Sequence, residues 1–134
     1  MNRARHELLR FGVAGVAGFL VDAGVLYLGL AIGLGYFAGR IVSFLCAVFC
    51  TWQINRRFTF AGSTADGPVW SEWWRYLAAM SAGGAVNYAA YSLVVLTLKS
   101  ALLLPLLSVA IGSMAGLAVN FSGAKLWVFK QRRE

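Results

Sequence analysis

The chain has 134 residues, of which 60% are hydrophobic and only 13% are charged. Soluble domains average roughly 45–50% apolar and about 25% charged residues, so this composition excludes an ordinary soluble domain, and the length excludes two domains of usual size. A net charge of +7 would favour nucleic-acid binding in a soluble protein. In so apolar a chain, the basic residues are better explained by membrane topology.

Four apolar segments are each long enough to cross a bilayer, which takes about 20 apolar residues in a helix. The predicted spans are residues 11–32, 36–54, 76–98 and 103–124. The first span exceeds the roughly 7–15 apolar residues of a secretory leader, and a second span follows almost at once, so we expect it to remain in the protein. The sequence therefore predicts an all-α membrane protein with four transmembrane helices.

The lysines and arginines indicate how these helices are oriented. All of them except Arg40 and Lys99 would lie on one face of the membrane, which the positive-inside rule assigns to the cytoplasm. This set comprises Arg3, Arg5, Arg10, Arg56, Arg57, Arg75, Lys125, Lys130, Arg132 and Arg133. Both termini are predicted to be cytoplasmic.

Asp22 is the one acidic residue inside the first span. It lies roughly 16 Å above the inner end of the helix, where an acid costs about 2.5–3.5 kcal/mol to insert. Arg40 enters the second span at a depth about 8 Å away, within reach of its long side chain. We predict that Arg40 pairs with Asp22 directly or through water; alternatively, Asp22 carries a proton. We favour a substrate or proton role over an ion pair that only fixes helix register.

The polar residues at the two membrane faces suit phosphate. The planar guanidinium of Arg40 could receive a lipid phosphate at the outer leaflet. At the inner headgroup level a second set could gather the same group, and consists of Asn55, Arg56, Arg57 and Lys125. The alternative is that this set reflects topology and binding of bulk anionic lipid.

The second span also contains Cys46 and Cys50, one helical turn apart. This spacing is poor for a mutual disulfide, so we predict two small apolar packing residues. No Cys/His cluster indicates a metal, and no cofactor is expected. Because no activated nucleophile or pair of carboxylates is visible, we do not expect an enzyme.

The cytoplasmic loop is predicted at about residues 56–75, with Pro68 opening a short helix. One apolar stripe follows and consists of Trp70, Trp73, Trp74 and Leu77. Tryptophans beside a basic residue are typical of a segment lying in the headgroup layer, so we predict interfacial anchors. The alternative is a platform that stacks against a sugar ring.

The two halves of the sequence resemble each other. With an offset of 65, the third span repeats six residue types of the first: Arg10, Ala14, Ala17, Gly18, Val21 and Leu28 meet Arg75, Ala79, Ala82, Gly83, Val86 and Leu93. With an offset of 69, "RRFTF" (56–60) faces "KLWVF" (125–129). Since both halves would start in the cytoplasm, they are predicted to be parallel two-helix repeats. Asp22 and Asn87 then occupy equivalent positions and are candidates for one shared polar locus.

Small residues at four-residue spacing indicate where helices approach closely. The pairs are Gly112 with Gly116, Ser43 with Ala47, Ala14 with Gly18, and Ala79 with Gly83. Because four short helices offer little surface to a large headgroup, we expect a homo-oligomer sealed by the Gly112–Gly116 seam.

The motifs together resemble the GtrA family of small bacterial membrane proteins. They are "RFGVAGVAGFLVD", "AGRIVSF" and "INRRFTF" in the first half, and "RYL", Asn120–Phe121 and "KLWVF" in the second. The resemblance covers about residues 8–130. One departure is Thr51–Trp52, where the family tends to carry an Asn–Phe pair: Trp52 keeps the aromatic ring, and Thr51 lacks the amide.

The resemblance implies a bacterial inner-membrane protein that moves polyprenyl-phosphate-linked monosaccharides to the outer leaflet for cell-surface polysaccharide synthesis or glycosylation. The matching polar residues are Asp22, Arg40, Asn55 and Arg56, with Asn120 in the second half. An alternative is a non-transporting membrane partner that docks a glycosyltransferase. A proton-coupled exporter of cations is disfavoured because Arg40 would repel its cargo.

Overall fold

The protein folds as four α-helices in a computed structural model that describes residues 2–62, 67–97 and 104–129. The helices are α1 (Arg3–Ala31), α2 (Tyr36–Ile54), α3 (Val69–Thr97) and α4 (Leu104–Gly123). A five-residue π-helical turn follows α2 (Asn55–Thr59) and another follows α4 (Ala124–Val128), here named the first and second π-turns. The prediction of four helices is confirmed, and the described ranges contain no strand. Among the basic residues, Lys99, Lys130, Arg132 and Arg133 lie outside those ranges.

The chain divides into two compact units, and the first unit is an antiparallel pair of α1 and α2. In the first half of α1 the buried residues recur with helical periodicity and form one stripe: Glu7, Phe11, Ala14 and Gly18. At Gly18 the stripe is so close to α2 that an added methyl group would collide with the side chain of Thr51. The small residues of α1 therefore set a close approach of the two helices, as small residues do between helices in membranes.

A tight turn joins α1 to α2. Gly33 has a φ of +90°, a conformation that residues with a Cβ rarely adopt. The backbone N–H of Leu34 donates to the carbonyl of Gly29 at 2.8 Å and that of Gly33 to the carbonyl of Leu30 at 3.2 Å, which closes the end of α1 with a Schellman motif. Because the turn is short, it fixes the register between the last turns of α1 and the first turns of α2.

The first π-turn ends α2 and packs against α1. Its defining bond runs from the N–H of Phe60 to the carbonyl of Asn55 at 2.8 Å. The Phe60 ring meets Phe11 edge-on, with centroids 6.4 Å apart. From α1, Arg10 donates through Nη1 to the carbonyl of Phe58 at 3.1 Å. The turn is thus held by one aromatic contact and one hydrogen bond from the neighbouring helix.

The second unit pairs α3 with α4 and has the same kinds of contact. The buried stripe of α3 consists of Glu72, Tyr76, Ala79 and Gly83. An added Cβ at Gly116 of α4 would lie 2.9 Å from the Cβ of Asn87. In the second π-turn, the N–H of Phe129 donates to the carbonyl of Ala124 at 2.8 Å. The Phe129 ring lies 6.1 Å from that of Tyr76.

The segment predicted as the cytoplasmic loop, about residues 56–75, is helical at both ends. Residues 55–59 form the first π-turn, and α3 begins at Val69 and runs unbroken to Thr97, so Pro68 does not open a separate short helix. The carbonyl of Pro68 instead accepts the N–H of Ser71 and of Glu72, at 3.0 and 3.3 Å, and starts α3 itself. The tryptophan stripe does lie on a helix, as predicted, but that helix continues without a break into the apolar segment.

The packing prediction for the two cysteines needs correction. Cys46 is exposed, so it is not a packing residue within this chain, whereas Cys50 is half-buried; both are free thiols. Gly116 lies against Asn87 and against the carbonyl of Gly83, both in α3. Gly116 therefore packs within the same chain, and the sealing of an oligomer by the Gly112–Gly116 seam stays a prediction. Among the described residues, α1 alone has both the length and the apolarity expected of a membrane-crossing helix.

Candidate functional site

The predicted pair of Asp22 and Arg40 is present as a direct contact. Arg40 Nη1 lies 2.7 Å from both Asp22 Oδ1 and Oδ2. Asp22 is more than two turns from the end of α1, and Arg40 is one turn from the start of α2. The tight turn at Gly33 sets this register, and the long arginine side chain spans the remaining difference in depth.

The two side chains of the ion pair differ in how exposed they are. The Arg40 side chain is 60% exposed and the Asp22 side chain 18%. Only Nη1 of Arg40 bonds to the carboxylate, and within the described part of the chain the Nε and Nη2 groups make no hydrogen bond. Since guanidinium has five N–H donors in a planar fork, one edge of Arg40 is oriented and open.

The first π-turn places Arg56 and Arg57 on the surface of the first unit. Both are exposed, as is Phe58, whereas Asn55 and Thr59 are buried. The Arg56 guanidinium lies 5.9 Å from the centre of the Trp52 ring, in a cation–π contact. The turn therefore presents two adjacent cations at the end of α2.

Asn55 does not join the exposed cations, although it was predicted among them. Its side chain is 1% exposed, and its Oδ1 accepts the hydroxyl of Thr59 at 2.7 Å. In this position Asn55 stabilises the first π-turn from inside and is not available to a headgroup at the surface.

The predicted residues of the second unit fall into two places. Lys125 lies in the second π-turn, its Nζ 5.7 Å from the centre of the Phe121 ring. Asn87 and Asn120 line the seam between α3 and α4. Asn120 lies against Gly83, and Asn87 lies against Gly116, one turn along each helix. The Asn120 Oδ1 atom is buried and has no hydrogen-bond partner among the described residues.

The position that departs from the family motif is Thr51, in the first unit. Its methyl group faces Gly18, and its hydroxyl donates to the carbonyl of Val48 at 3.0 Å, within α2. The seam of the first unit therefore has no amide where the second unit has Asn120.

The tryptophans predicted as interfacial anchors all lie in the first turns of α3. Trp70 and Trp74 are exposed, and their rings meet edge-on with centroids 5.4 Å apart. Trp73 is half-buried. Anchoring in the headgroup layer stays a prediction for all three.

Two buried acids were missed by the sequence reasoning. Glu7 is 6% exposed and Glu72 is 4% exposed, and Arg3 Nε lies 3.2 Å from Glu7 Oε1. Each acid stands four residues before a buried aromatic residue, Phe11 or Tyr76. The offset of 65 maps Glu7 onto Glu72, so extending the comparison of the two halves toward the N-terminus would have found them.

The fold and site define a small helical membrane protein with a charge pair between α1 and α2 and exposed cations in the first π-turn. The chain matches the family "GtrA/DPMS, transmembrane domain" over residues 10–129, and it belongs to that family. It is also 32% identical over 127 residues to a Bacillus subtilis (strain 168) protein named "Uncharacterized membrane protein YngA". The similar region covers 90% of this chain and 77% of that relative. The family is generally non-catalytic and is linked to the flipping of lipid-linked sugars.

Proposed function

We propose that this protein moves a polyprenyl-phosphate-linked monosaccharide from the inner to the outer leaflet of the bacterial inner membrane. The product would serve cell-surface polysaccharide synthesis or glycosylation. The chain belongs to a family associated with such lipids, and it must then give a charged phosphate a route through hydrocarbon.

The observation that carries this proposal is that α2 has an accessible guanidinium near each end. Arg40 lies in its first turns, and Arg56 and Arg57 follow its last turn. From Arg40 to Arg56 the rise of about 1.5 Å per residue gives about 24 Å, close to the roughly 30 Å of the hydrocarbon core. One helix thus offers a phosphate partner near each membrane face.

The chemistry of the arginines suits this cargo. Guanidinium binds phosphate oxygens through two parallel N–H donors, whereas an ammonium group acts as a point charge. We assign initial capture at the inner leaflet to Arg56 and Arg57, assisted by Lys125, and release at the outer leaflet to Arg40. Asn87 and Asn120 would offer amides along the seam of the second unit for the sugar or phosphate.

We assign the two units as parallel repeats with both termini in the cytoplasm. Supporting this, offsets of 65 and 69 align the buried stripes and the π-turns. They also align the two cation–π pairs, Arg56 with Trp52 and Lys125 with Phe121. Repeats in transporters place equivalent polar positions near the membrane middle, and Asp22 and Asn87 are such equivalent positions in the two units. The large cargo also favours a homo-oligomer.

The test is reconstitution into liposomes with a labelled polyprenyl-phosphate monosaccharide, followed by measurement of how much label is accessible in each leaflet. We expect transbilayer movement above the protein-free background. The double variant Arg56→Gln/Arg57→Gln should lower the rate at least about tenfold, because a hydrogen bond to a charged group contributes about 1.5–3 kcal/mol. Arg5→Gln is the matched control: Arg5 is exposed, is predicted at the same membrane face, and should leave the rate within about twofold.

Two results would contradict the assignment. An equal loss in Arg5→Gln and in the double variant would mean that only the net positive charge matters. Absence of movement in the unaltered protein, together with its co-purification with a glycosyltransferase, would favour the docking function instead.

A further inference from the structure

We infer that Asp22 is an internal competitor of the substrate phosphate: its carboxylate occupies Arg40 when no phosphate is bound and displaces the phosphate when the cargo leaves. This inference rests on the proposed function, because it assigns the order of events at one of its phosphate sites. It makes Asp22 a residue that sets the release rate, rather than a ligand of the cargo.

The geometry of the ion pair allows a phosphate to replace the Asp22 carboxylate on Arg40. Both oxygens of Asp22 share one nitrogen of Arg40, each at 2.7 Å. The strongest arginine–carboxylate pairing uses two parallel N–H···O bonds from two different nitrogens. Asp22 does not form this pairing, and it leaves the Nε/Nη2 edge of Arg40 open. A phosphate can therefore bind the open Nε/Nη2 edge before the carboxylate departs.

The exposures of the two side chains point the same way. The cation is 60% exposed and reachable, whereas the acid is 18% exposed and held on α1 beside it. Exchange keeps one anion on Arg40 at every stage. A cation without a counter-ion raises the free energy of a membrane helix. A mechanism in which Arg40 always has an anion beside it therefore avoids an intermediate of high free energy.

The acid should also weaken binding by a predictable factor. A ligand that must compete with an internal partner binds with its intrinsic affinity multiplied by the fraction of time the site is open. Even a water-exposed ion pair can contribute about 1 kcal/mol, a paired-to-open ratio of about five, and a pair in the membrane is screened less, so the carboxylate should weaken phosphate binding by at least about fivefold.

The inference is tested with Asp22→Asn, which keeps the shape of the side chain and removes its charge. In detergent or nanodiscs, we expect the labelled polyprenyl-phosphate sugar to bind at least about fivefold more tightly than to the unaltered protein. In liposomes the same variant should have a lower apparent KM and a lower maximal flipping rate, because release is slowed. A residue that only fixed helix register would not tighten binding while slowing turnover.

Two further variants serve as controls. Arg40→Gln combined with Asp22→Asn should abolish the gain in affinity, since the gain requires the guanidinium. Glu7→Gln is the matched control, because Glu7 is also an acid of α1 paired with an exposed arginine. It should leave both the affinity and the maximal rate within about twofold.

Inorganic phosphate and phosphatidylglycerol vesicles identify the source of the phosphate. Tighter binding of the sugar lipid with no gain for either probe supports a site for the cargo; an equal gain for all three shows a general anion site and overturns the role in release. Weaker or unchanged binding of the sugar lipid to Asp22→Asn also overturns the inference, even if the unaltered protein flips lipid. If the unaltered protein neither binds nor flips the lipid, it is the proposed function that has failed.

Discussion

Gly116 offers a direct test of how tightly the second unit is packed. In Gly116→Ala the new Cβ would lie 2.9 Å from the Cβ of Asn87 and 3.1 Å from the carbonyl oxygen of Gly83. Both distances are shorter than an ordinary van der Waals contact, and both partners are attached firmly to the backbone of α3. The helices must therefore separate, and overpacking of this kind costs about 1–3 kcal/mol.

The matched control is Gly84→Ala, on the same helix as Gly83. An added Cβ at Gly84 meets nothing within 4 Å, so the substitution should stabilise the helix by up to about 1 kcal/mol. Gly83→Ala should have an intermediate stability. Its new methyl group collides with the end of the Asn120 side chain, and that side chain can rotate away. The order of stability should be Gly84→Ala above the unaltered protein, and Gly116→Ala below it.

The assay is unfolding in mixed micelles, followed by circular dichroism as the fraction of denaturing detergent rises. The midpoint should fall for Gly116→Ala and stay level or rise for Gly84→Ala. A midpoint for Gly116→Ala at or above that of Gly84→Ala would refute the close contact between α3 and α4. If Gly116→Ala changed only the apparent oligomer size and left the unfolding midpoint unchanged, the glycine seam would instead be a contact between copies of the chain.

Two further predictions concern the π-turns. Thr59→Val removes the hydroxyl that donates to buried Asn55 at 2.7 Å and should lower the free energy of unfolding by about 1–3 kcal/mol in the same assay, while Thr59→Ser should lose less; equal losses would show that the hydrogen bond contributes little. Phe129→Ala removes a ring that is 1% exposed and should cost about 3–5 kcal/mol, whereas Phe58→Ala removes one that is 64% exposed and should change stability by less than about 0.5 kcal/mol. Similar losses in the two variants would contradict the burial of Phe129 against Tyr76.

Much of the architecture could be predicted because the signals are local. Runs of apolar residues predicted four helices, since a segment in hydrocarbon must satisfy its backbone groups internally. The pair of Asp22 and Arg40 was also predictable. A four-residue connection leaves little freedom in register, so the depths of the two residues follow from counting along each helix. The role of these residues in transport stays a prediction.

The details of the helix ends were decided by tertiary contacts. Nothing in "NRRFT" distinguishes a π-helical turn from another turn of α-helix, and the turn that forms places Phe60 against Phe11 of the neighbouring helix. Within this turn Asn55 is buried, and Arg56 and Arg57 are exposed. The sequence predicted these three polar residues as one group because counting along the helix gives their depth in the membrane. It does not give the side of the helix on which each side chain lies.

The sequence by itself determined which segments are helical and which charges share a depth, because hydrophobicity and helical rise are properties of the local chain. Only the tertiary structure decided which polar side chains face inward. Glu7, Glu72 and Asn55 are buried because each lies on the helix face that meets a partner helix. Burial depends on that partner, and a single helix considered alone does not contain the information.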